Sequence, residues 1–131
     1  MEIKIGDTFS RTTVMTDERI RNYAEACGDT NSVHLDDEYA KTTRFGKRIA
    51  HGMLTASLIS AILGNDYPGV GTIYLSQTAK FKAPVFIDDA ITAAVEVTAY
   101  REDKRIVTLK TTCTNQDGVL VVEGEAVVIA P

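Results

Sequence analysis

An acidic side chain and an imidazole, Asp29 and His34, stand at the two ends of a short polar segment. With unperturbed pKa values of about 3.9 and about 6.5, a carboxylate and an imidazole are a suitable acid/base pair for activating a water molecule. A turn residue after Gly28 and a hydrogen-bonded, half-buried histidine between Val33 and Leu35 would give the same pattern. The spacing by itself leaves both interpretations open.

Helix signals lie on both sides of this segment. Thr16 is a suitable N-cap for a helix that carries one apolar face and ends at Gly28. Asp36 is a suitable cap for a second, short helix. The segment from Gly52 to Leu63 has no charged residue and is apolar or small on every side. That pattern predicts a buried helix, which Gly64 ends.

The second half of the chain alternates between apolar and polar residues, which is typical of half-buried strands. Four strands are predicted, over residues 72–81, 90–100, 106–114 and 119–129. Asp117-Gly118 is a strong signal for a hairpin turn between the last two strands. Helices followed by antiparallel strands favour an α+β fold, in which a long meander wraps around one buried helix.

Length and composition restrict the class of protein. The 131 residues fit a single domain, residues 1–131, and their net charge of −4 gives no positive field to attract nucleic acid. The N-terminus lacks the apolar core of a signal peptide, and no apolar run reaches the roughly 20 residues of a membrane span. Cys27 and Cys113, with two histidines, form neither a disulfide framework nor a usual zinc site. We therefore expect two buried free thiols, no metal and a cytoplasmic location.

Several motifs together resemble one enzyme family. Residues 23–36 read YAEACGDTNSVHLD, which is similar to the signature Y-x-x-x-[SC]-G-D-x-N-P-[LIV]-H-x-D of the MaoC-like hydratases, the (R)-specific enoyl-CoA hydratase family. Residues 48–54 (RIAHGML), 71–75 (GTIYL) and 81–86 (FKAPVF) resemble further motifs of that family, in the same order. Ser32 departs from the pattern, which has proline there, and so removes a restraint on the loop backbone. The resemblance implies the hot dog fold, a curled antiparallel sheet wrapped around one long central helix.

For the site, the resemblance implies that Asp29 and His34 hold and activate one water molecule. This water adds reversibly across the C2=C3 bond of a trans-2-enoyl-CoA thioester and gives the (R)-3-hydroxyacyl product, with no cofactor. We expect Asp29 to act as the base, and His34 to position the water and act as the acid. The enolate that forms at the thioester carbonyl needs hydrogen-bond donors. Gly52 lies where the free N–H groups of the central helix point outward.

The resemblance also assigns supporting residues. Asn31 organises the loop, since asparagine tolerates left-handed φ values and bonds to the backbone. Ser60 either bonds to its own helix or orients Asp29. Leu63, one turn further on, either lines the acyl pocket or belongs to the core. His51 is interpreted as structural.

Binding partners follow from the same comparison. The substrate implied is an acyl-CoA thioester, and basic residues before the central helix, like Lys82 after it, are either a solvated face or contacts for the CoA phosphates. These basic residues are Lys41, Arg44, Lys47 and Arg48. The edge of a curled sheet must be covered, so we expect a homodimer or a higher homo-oligomer.

Two other functions stay open. A hot dog acyl-CoA thioesterase usually places a carboxylate on its central helix, and residues 52–63 contain none. A non-catalytic module that binds acyl thioesters needs neither Asp29 nor His34. Classical dehydratases that act on acyl-carrier protein carry a His-Phe-Pro motif, which this sequence lacks. The sequence therefore favours the hydratase.

Overall fold

Six β-strands and four α-helices form the fold, and the computed structural model describes all residues from 1 to 131. The strands are β1 (Thr8–Val14), β2 (Ile73–Gln77), β3 (Lys80–Phe81), β4 (Ala90–Arg101), β5 (Ile106–Thr114) and β6 (Leu120–Ile129). The helices are α1 (Asp17–Cys27), α2 (Ser32–Leu35), α3 (Asp37–Lys41) and α4 (Gly52–Ala61), and α4 continues into a π-helical turn, Ile62–Asp66.

A single antiparallel sheet has the strand order β1-β4-β5-β6-β2, and β3 also pairs with β6. The sheet curls around α4, which packs against β4, β5 and β6. Between them lies one core cluster of 22 buried residues, which includes Leu54 and Ile59 of α4 and Val95, Leu109 and Val128 of the sheet. The predicted α+β class and hot dog fold are therefore confirmed.

Side-chain caps fix the segments that flank the acid/base pair. Thr16 Oγ1 accepts the N–H of Arg19 at 3.2 Å. Helix α1 ends at Gly28, whose φ of +84° lies in the left-handed region that favours glycine. Asp36 Oδ1 accepts the N–H of Tyr39 at 3.1 Å and starts α3. Both predicted caps are confirmed. The short loop that carries the predicted carboxylate lies between the end of α1 and the start of α2.

The strand predictions fail at two places. Strand β1 was not predicted, because its residues are mostly exposed and show no apolar alternation. The single strand predicted over residues 72–81 is two strands, because the regular pairing with β6 is interrupted at Thr78 and Ala79, where the backbone lies directly against Gly124. A Cβ at Gly124 would lie 1.8 Å from the carbonyl oxygen of Thr78, so only glycine allows this close approach.

Helix α4 differs from its prediction at its end and on one face. Gly64 lies inside the π-helical turn and does not end the helical segment, which continues to the turn's last residue, Asp66. The buried residues of α4 are Leu54, Thr55, Ala56 and Ile59. Met53 is 60% exposed, and Ser57 and Ser60 are exposed with it. The prediction of a helix buried on every side is therefore wrong for this face. No helix in the structure combines the length and the apolar character that crossing a membrane requires.

Candidate active site

His34 lies on the one-turn helix α2 and is 8% exposed. Its Nδ1 lies 2.7 Å from the carbonyl oxygen of Ile49, which can only accept, so Nδ1 carries the hydrogen and Nε2 keeps its lone pair. Burial lowers the pKa of His34, and the nearby His51 ring lowers it further. Near neutral pH, His34 is therefore a neutral imidazole with one free acceptor nitrogen.

A buried guanidinium holds the backbone of α2. Arg48 is 5% exposed, donates through Nε to the carbonyl oxygen of His34 at 2.7 Å, and pairs with the carboxylate of Asp17. A second carboxylate, that of Asp37, lies 3.9 Å from the same guanidinium. The hydrogen bond from Arg48 holds the pKa of Asp17 below its usual value. Arg48 therefore neither lies on a solvated face nor is free to contact CoA phosphates. Instead it connects helices α1, α2 and α3 behind His34.

Asp29 is exposed in the loop between α1 and α2. One of its carboxylate oxygens accepts the N–H of Asn31 at 3.2 Å, and the Asn31 side chain accepts the N–H of Val33 at 3.2 Å. Asn31 thus bonds to the loop backbone as expected, but its φ of −53° is not left-handed. The Asp29 N–H donates to Sγ of Cys27 at 3.4 Å. Cys27 is exposed, so of the two thiols expected to be buried only Cys113 is.

The second histidine of the chain lies directly against the first. The rings of His34 and His51 stack with their centroids 3.8 Å apart and their planes 28° apart. His51 Nε2 lies 2.9 Å from the carbonyl oxygen of Asp29, and Tyr23 packs edge-on against His51 at 4.8 Å. The sequence interpretation made His51 merely structural. The signal that could have placed it in the site was its position directly before Gly52.

The cluster also resembles a metal-binding set, since one ligand atom each of Asp29, His34 and His51 lie within 4.8 Å of one another. Two histidines and a carboxylate are common zinc ligands. A metal ion must lie near the plane of every imidazole that binds it, and two stacked rings have nearly parallel planes. The observed ring orientations therefore do not converge on one ion, and they fit a small hydrogen-bonded molecule better.

Gly52, the first residue of α4, lies beside this cluster. The first N–H groups of a helix have no acceptor within it, and His51 makes no side-chain cap here. A Cβ at position 52 would lie 2.7 Å from Cδ1 of Phe81, whose ring covers the glycine. Glycine therefore leaves N–H donors beneath an aromatic ring, an arrangement that can stabilise a developing oxyanion.

These groups line a cleft of about 510 Å³. Its apolar walls include Phe45, Phe81, Val85, Val121 and Val122. Two cations, Arg44 and Lys82, line it as well, and Nζ of Lys82 lies 3.4 Å from the carboxylate of Glu123. The cleft thus combines a polar cluster, apolar walls and positive charge.

Two residues predicted for the site do not reach this cleft. Ser60 is exposed on α4 and forms no hydrogen bond with Asp29. Leu63 is 1% exposed and belongs to the core cluster. Ser60 follows Gly52 by eight residues, which corresponds to about 12 Å along the helix axis, and Leu63 lies further still. Within one chain, the predicted support of Asp29 by Ser60 and the acyl-pocket position of Leu63 are therefore not found.

Comparison with known proteins agrees with this geometry. The sequence matches the family described as MaoC like domain over residues 3–118. It is 48% identical over 130 residues to an (R)-specific enoyl-CoA hydratase of Rhodospirillum rubrum, with 99% of this chain and 90% of the relative covered. It is 54% identical over 109 residues to an (R)-specific enoyl-CoA hydratase of Aeromonas caviae, with 83% of this chain and 81% of the relative covered.

A solved structure, described as the (R)-hydratase from A. caviae involved in PHA biosynthesis, has the same fold. It superimposes with a TM-score of 0.96 at 46% sequence identity, and the match covers 98% of both chains. Family match, sequence identity and fold agree over nearly the whole length of the protein. The chain therefore belongs to the MaoC-like domain family.

Proposed function

We propose that this protein is an (R)-specific enoyl-CoA hydratase, which adds water reversibly to trans-2-enoyl-CoA and gives (R)-3-hydroxyacyl-CoA. Its family and its similarity to two (R)-specific hydratases support this activity. The observation that carries the proposal is a pair of acceptors in one apolar cleft, the Asp29 carboxylate and Nε2 of neutral His34. One water molecule can donate a hydrogen to each of them.

In the hydration direction, Nε2 of His34 takes a proton from this water while the Asp29 carboxylate accepts its second hydrogen. The water oxygen forms a bond to C3, and the C2=C3 π electrons move toward the thioester carbonyl. The His34 imidazolium then returns the proton to C2, and Asp29 stays ionised. In the roles expected from the sequence, Asp29 was the base and His34 the acid. They are exchanged in this proposal because Nδ1–H of His34 already donates to Ile49, so a neutral His34 must accept a proton at Nε2 before it can give one to C2.

Gly52 and the cleft walls position the thioester. The free N–H groups at the start of α4 bind the thioester oxygen, where negative charge develops in the transition state. The acyl tail extends between apolar side chains that include Val121 and Val122. Arg44 and Lys82 line the same cleft and are available to the phosphates of CoA. One acyl-CoA molecule would thus use both the apolar and the charged parts of the cleft.

The activity test offers the purified protein crotonyl-CoA and octenoyl-CoA, follows the loss of enone absorbance and determines the configuration of the product. We expect hydration to the (R)-3-hydroxyacyl-CoA, with little activity left in His34→Ala. Release of free CoA thiol without hydration would instead indicate a thioesterase, although α4 carries no carboxylate. Binding of enoyl-CoA without turnover would indicate a non-catalytic module.

The assembly proposed is a homodimer or a larger homo-oligomer formed through strand β2. This strand lies at one end of the sheet, and its residues Ile73, Tyr74 and Leu75 are all exposed. An unpaired edge with apolar side chains is a template for a further strand.

In sedimentation velocity at micromolar concentration, Leu75→Lys should dissociate the assembly. Val70→Lys, at an exposed position outside the strand, should not; an active wild-type monomer would contradict the proposal.

The cysteines support a reducing compartment, for which we propose the cytoplasm. Cys27 is exposed, Cys113 is buried, and both are free thiols. Exposed thiols persist where glutathione and thioredoxin keep them reduced.

A further inference from the structure

His51 contacts both members of the proposed acid/base pair, yet the reaction described above gives it no task. Its Nε2 lies 2.9 Å from the backbone carbonyl oxygen of Asp29, and its ring stacks on that of His34 at 3.8 Å. The side chain is 2% exposed. A carbonyl oxygen only accepts, so Nε2 carries the hydrogen, and Nδ1 is a buried acceptor without a partner.

We infer that His51 is a positioning residue for this reaction, whose ring holds the Asp29 backbone at its edge and the His34 imidazole against its face. The kinetic part of this inference rests on the proposed function. Asp29 depends on such a contact, because its bonds to Cys27 and Asn31 reach only the exposed end of α1 and the loop itself. The bond from His51 ties that loop to the start of α4, so one side chain sets the separation of the two acceptors that hold the water.

Charge favours the same arrangement. The groups that face His51 are Tyr23, Asp29 and His34; those that face His34 are Asp29, His51 and Arg48. After burial, His51 and Arg48 lower the pKa of His34, while the hydrogen bond to the Ile49 carbonyl and the charge of Asp29 raise it. The stacked ring therefore helps to keep Nε2 of His34 unprotonated.

Two substitutions separate the two contacts. His51→Phe keeps a ring face for His34 but donates no hydrogen bond, whereas His51→Gln supplies an N–H donor without a ring. We expect kcat for crotonyl-CoA to fall on the order of 10–100-fold in His51→Phe, because small displacements of catalytic groups have effects of this size. The loss should be smaller in His51→Gln, and KM should change less than about threefold in both.

A matched control removes a side-chain hydrogen bond outside the cleft. Tyr67→Phe loses the bond from the Tyr67 hydroxyl to Asp7, which is 2.8 Å long. It should lower the melting temperature without changing kcat. This comparison separates a general loss of stability from a loss of position at the cluster.

The histidine content supplies a second readout. The chain has 2 His, so His34 is the only histidine left in either variant and its imidazole signals need no further assignment. By NMR titration we expect the pKa of His34 to rise in both variants, because the ring that lowers it is gone. The acidic limb of the kcat/KM profile should move to higher pH with it. A side chain that only fills space would produce neither shift.

Variants that keep kcat within about twofold, with an unchanged pKa of His34, would overturn the inference. A test on the wild-type protein does not depend on how the variants fold. Its imidazole ¹⁵N spectrum should show a hydrogen of His51 on Nε2, the atom that faces the Asp29 carbonyl oxygen; a ring with its hydrogen on Nδ1 alone would also overturn the inference. Because this spectrum needs no substrate, a wild-type protein without hydratase activity would count against the proposed function and not against these contacts.

Discussion

The two ends of helix α4 make different contributions to the protein, although residues near both ends were candidates for the site. At its start, Gly52 and the preceding His51 line the cleft beside Asp29. Toward its far end, Ser60 faces outward and Leu63 is buried in the core. Within one chain, the candidate site therefore uses only the first turns of the helix and the residue before it.

This difference shows which properties of a helix its sequence specifies. Free N–H groups exist at the start of any helix, so predicting a donor at Gly52 required only one helix boundary. The placement of Ser60 and Leu63 required knowing what each face of the helix contacts. A helix without charged residues has only a weak polar signal for its solvent side, here Ser57 and Ser60, which lie on one face with the apolar Met53. The predictions that follow test whether the two ends really differ in function.

The largest effect is expected at the cluster beside the start of α4. Asp29→Asn and His34→Ala should each lower kcat by roughly 10²–10⁴-fold, the usual contribution of a general acid/base group. Circular dichroism should show an intact fold. Thr30→Ala is the matched control, since Thr30 is exposed in the same loop. A variant of Asp29 or His34 that kept more than about a tenth of the wild-type rate would remove that residue from the mechanism.

Gly52→Ala tests the helix start itself. The added Cβ would meet the Phe81 ring at 2.7 Å. The displacement should lower kcat/KM on the order of 10²-fold, as expected for a misplacement of about 1 Å. Adding Phe81→Ala to this variant removes the collision and should recover part of the loss. Unchanged kinetics in Gly52→Ala would show that the thioester oxygen binds elsewhere.

At the far end, Leu63→Ala should affect stability and not specificity. Loss of a buried leucine side chain should lower the free energy of unfolding by about 2–5 kcal/mol, measured by urea denaturation. The ratio of kcat/KM for octenoyl-CoA over crotonyl-CoA should stay as in the wild type. An increased ratio would place the acyl tail along α4 and show that both ends of the helix contribute to substrate binding.

Val121→Ala is the counterpart of that variant within the cleft, because Val121 is buried and lines the wall. Extra space beside the acyl tail should raise the same ratio by up to roughly tenfold, the size of effect that one or two methylene groups have in an apolar pocket. Steady-state kinetics on the folded variant measures it. An unchanged ratio would mean that the tail leaves along another wall.

Dependence on pH should follow two of the groups whose pKa values are lowered, His34 and Asp17. Because the folded protein disfavours protonation of His34, stability should decline as pH falls below about 6.5, the unperturbed value, whereas kcat/KM should decline only as pH falls through the lower pKa of the folded protein. Asp17 contributes stability above its unfolded pKa of about 3.9 and loses it as pH falls through its lower folded value. Melting temperatures between pH 3 and 8 should show both declines, and Asp17→Asn should remove the second. Melting temperatures that stay constant from neutral pH to pH 5 would contradict the lowered pKa of His34.

The smallest expected effect is that of metal removal. Activity should be unchanged after dialysis against EDTA, because the stacked rings of His34 and His51 do not converge on one ion. Loss of activity that zinc or magnesium restores would overturn this prediction.

Local signals made part of the fold predictable. The caps at Thr16 and Asp36 and the Asp117-Gly118 turn depend on neighbouring residues only. Strand β1 was missed because its pairing with β4 leaves no apolar alternation. The break between β2 and β3 depends on the contact of Thr78 with Gly124, which is distant in sequence.

The site divides in the same way. Asp29, Asn31 and His34 lie within residues 29–34, in the loop after α1 and in helix α2, so their proximity follows from the chain itself. His51 meets them only through contacts between residues distant in sequence, the stacking of its ring on His34 and its bond to the Asp29 carbonyl, which the sequence alone does not indicate. The tautomer of His34, which changes its expected role, likewise depends on the distant carbonyl group of Ile49.

Strand β3 has only two residues, and the irregular segment of Thr78 and Ala79, which lies against Gly124, separates it from β2. Short exposed segments open locally at a small fraction of the free energy of global unfolding. The amide hydrogens of residues 80–82 should therefore exchange with solvent well before those of β5. In this picture the Phe81 ring beside Gly52 shifts each time a few hydrogen bonds break, while the rest of the sheet keeps its shape. The width of the cleft at the helix start would then vary on the timescale of this local opening.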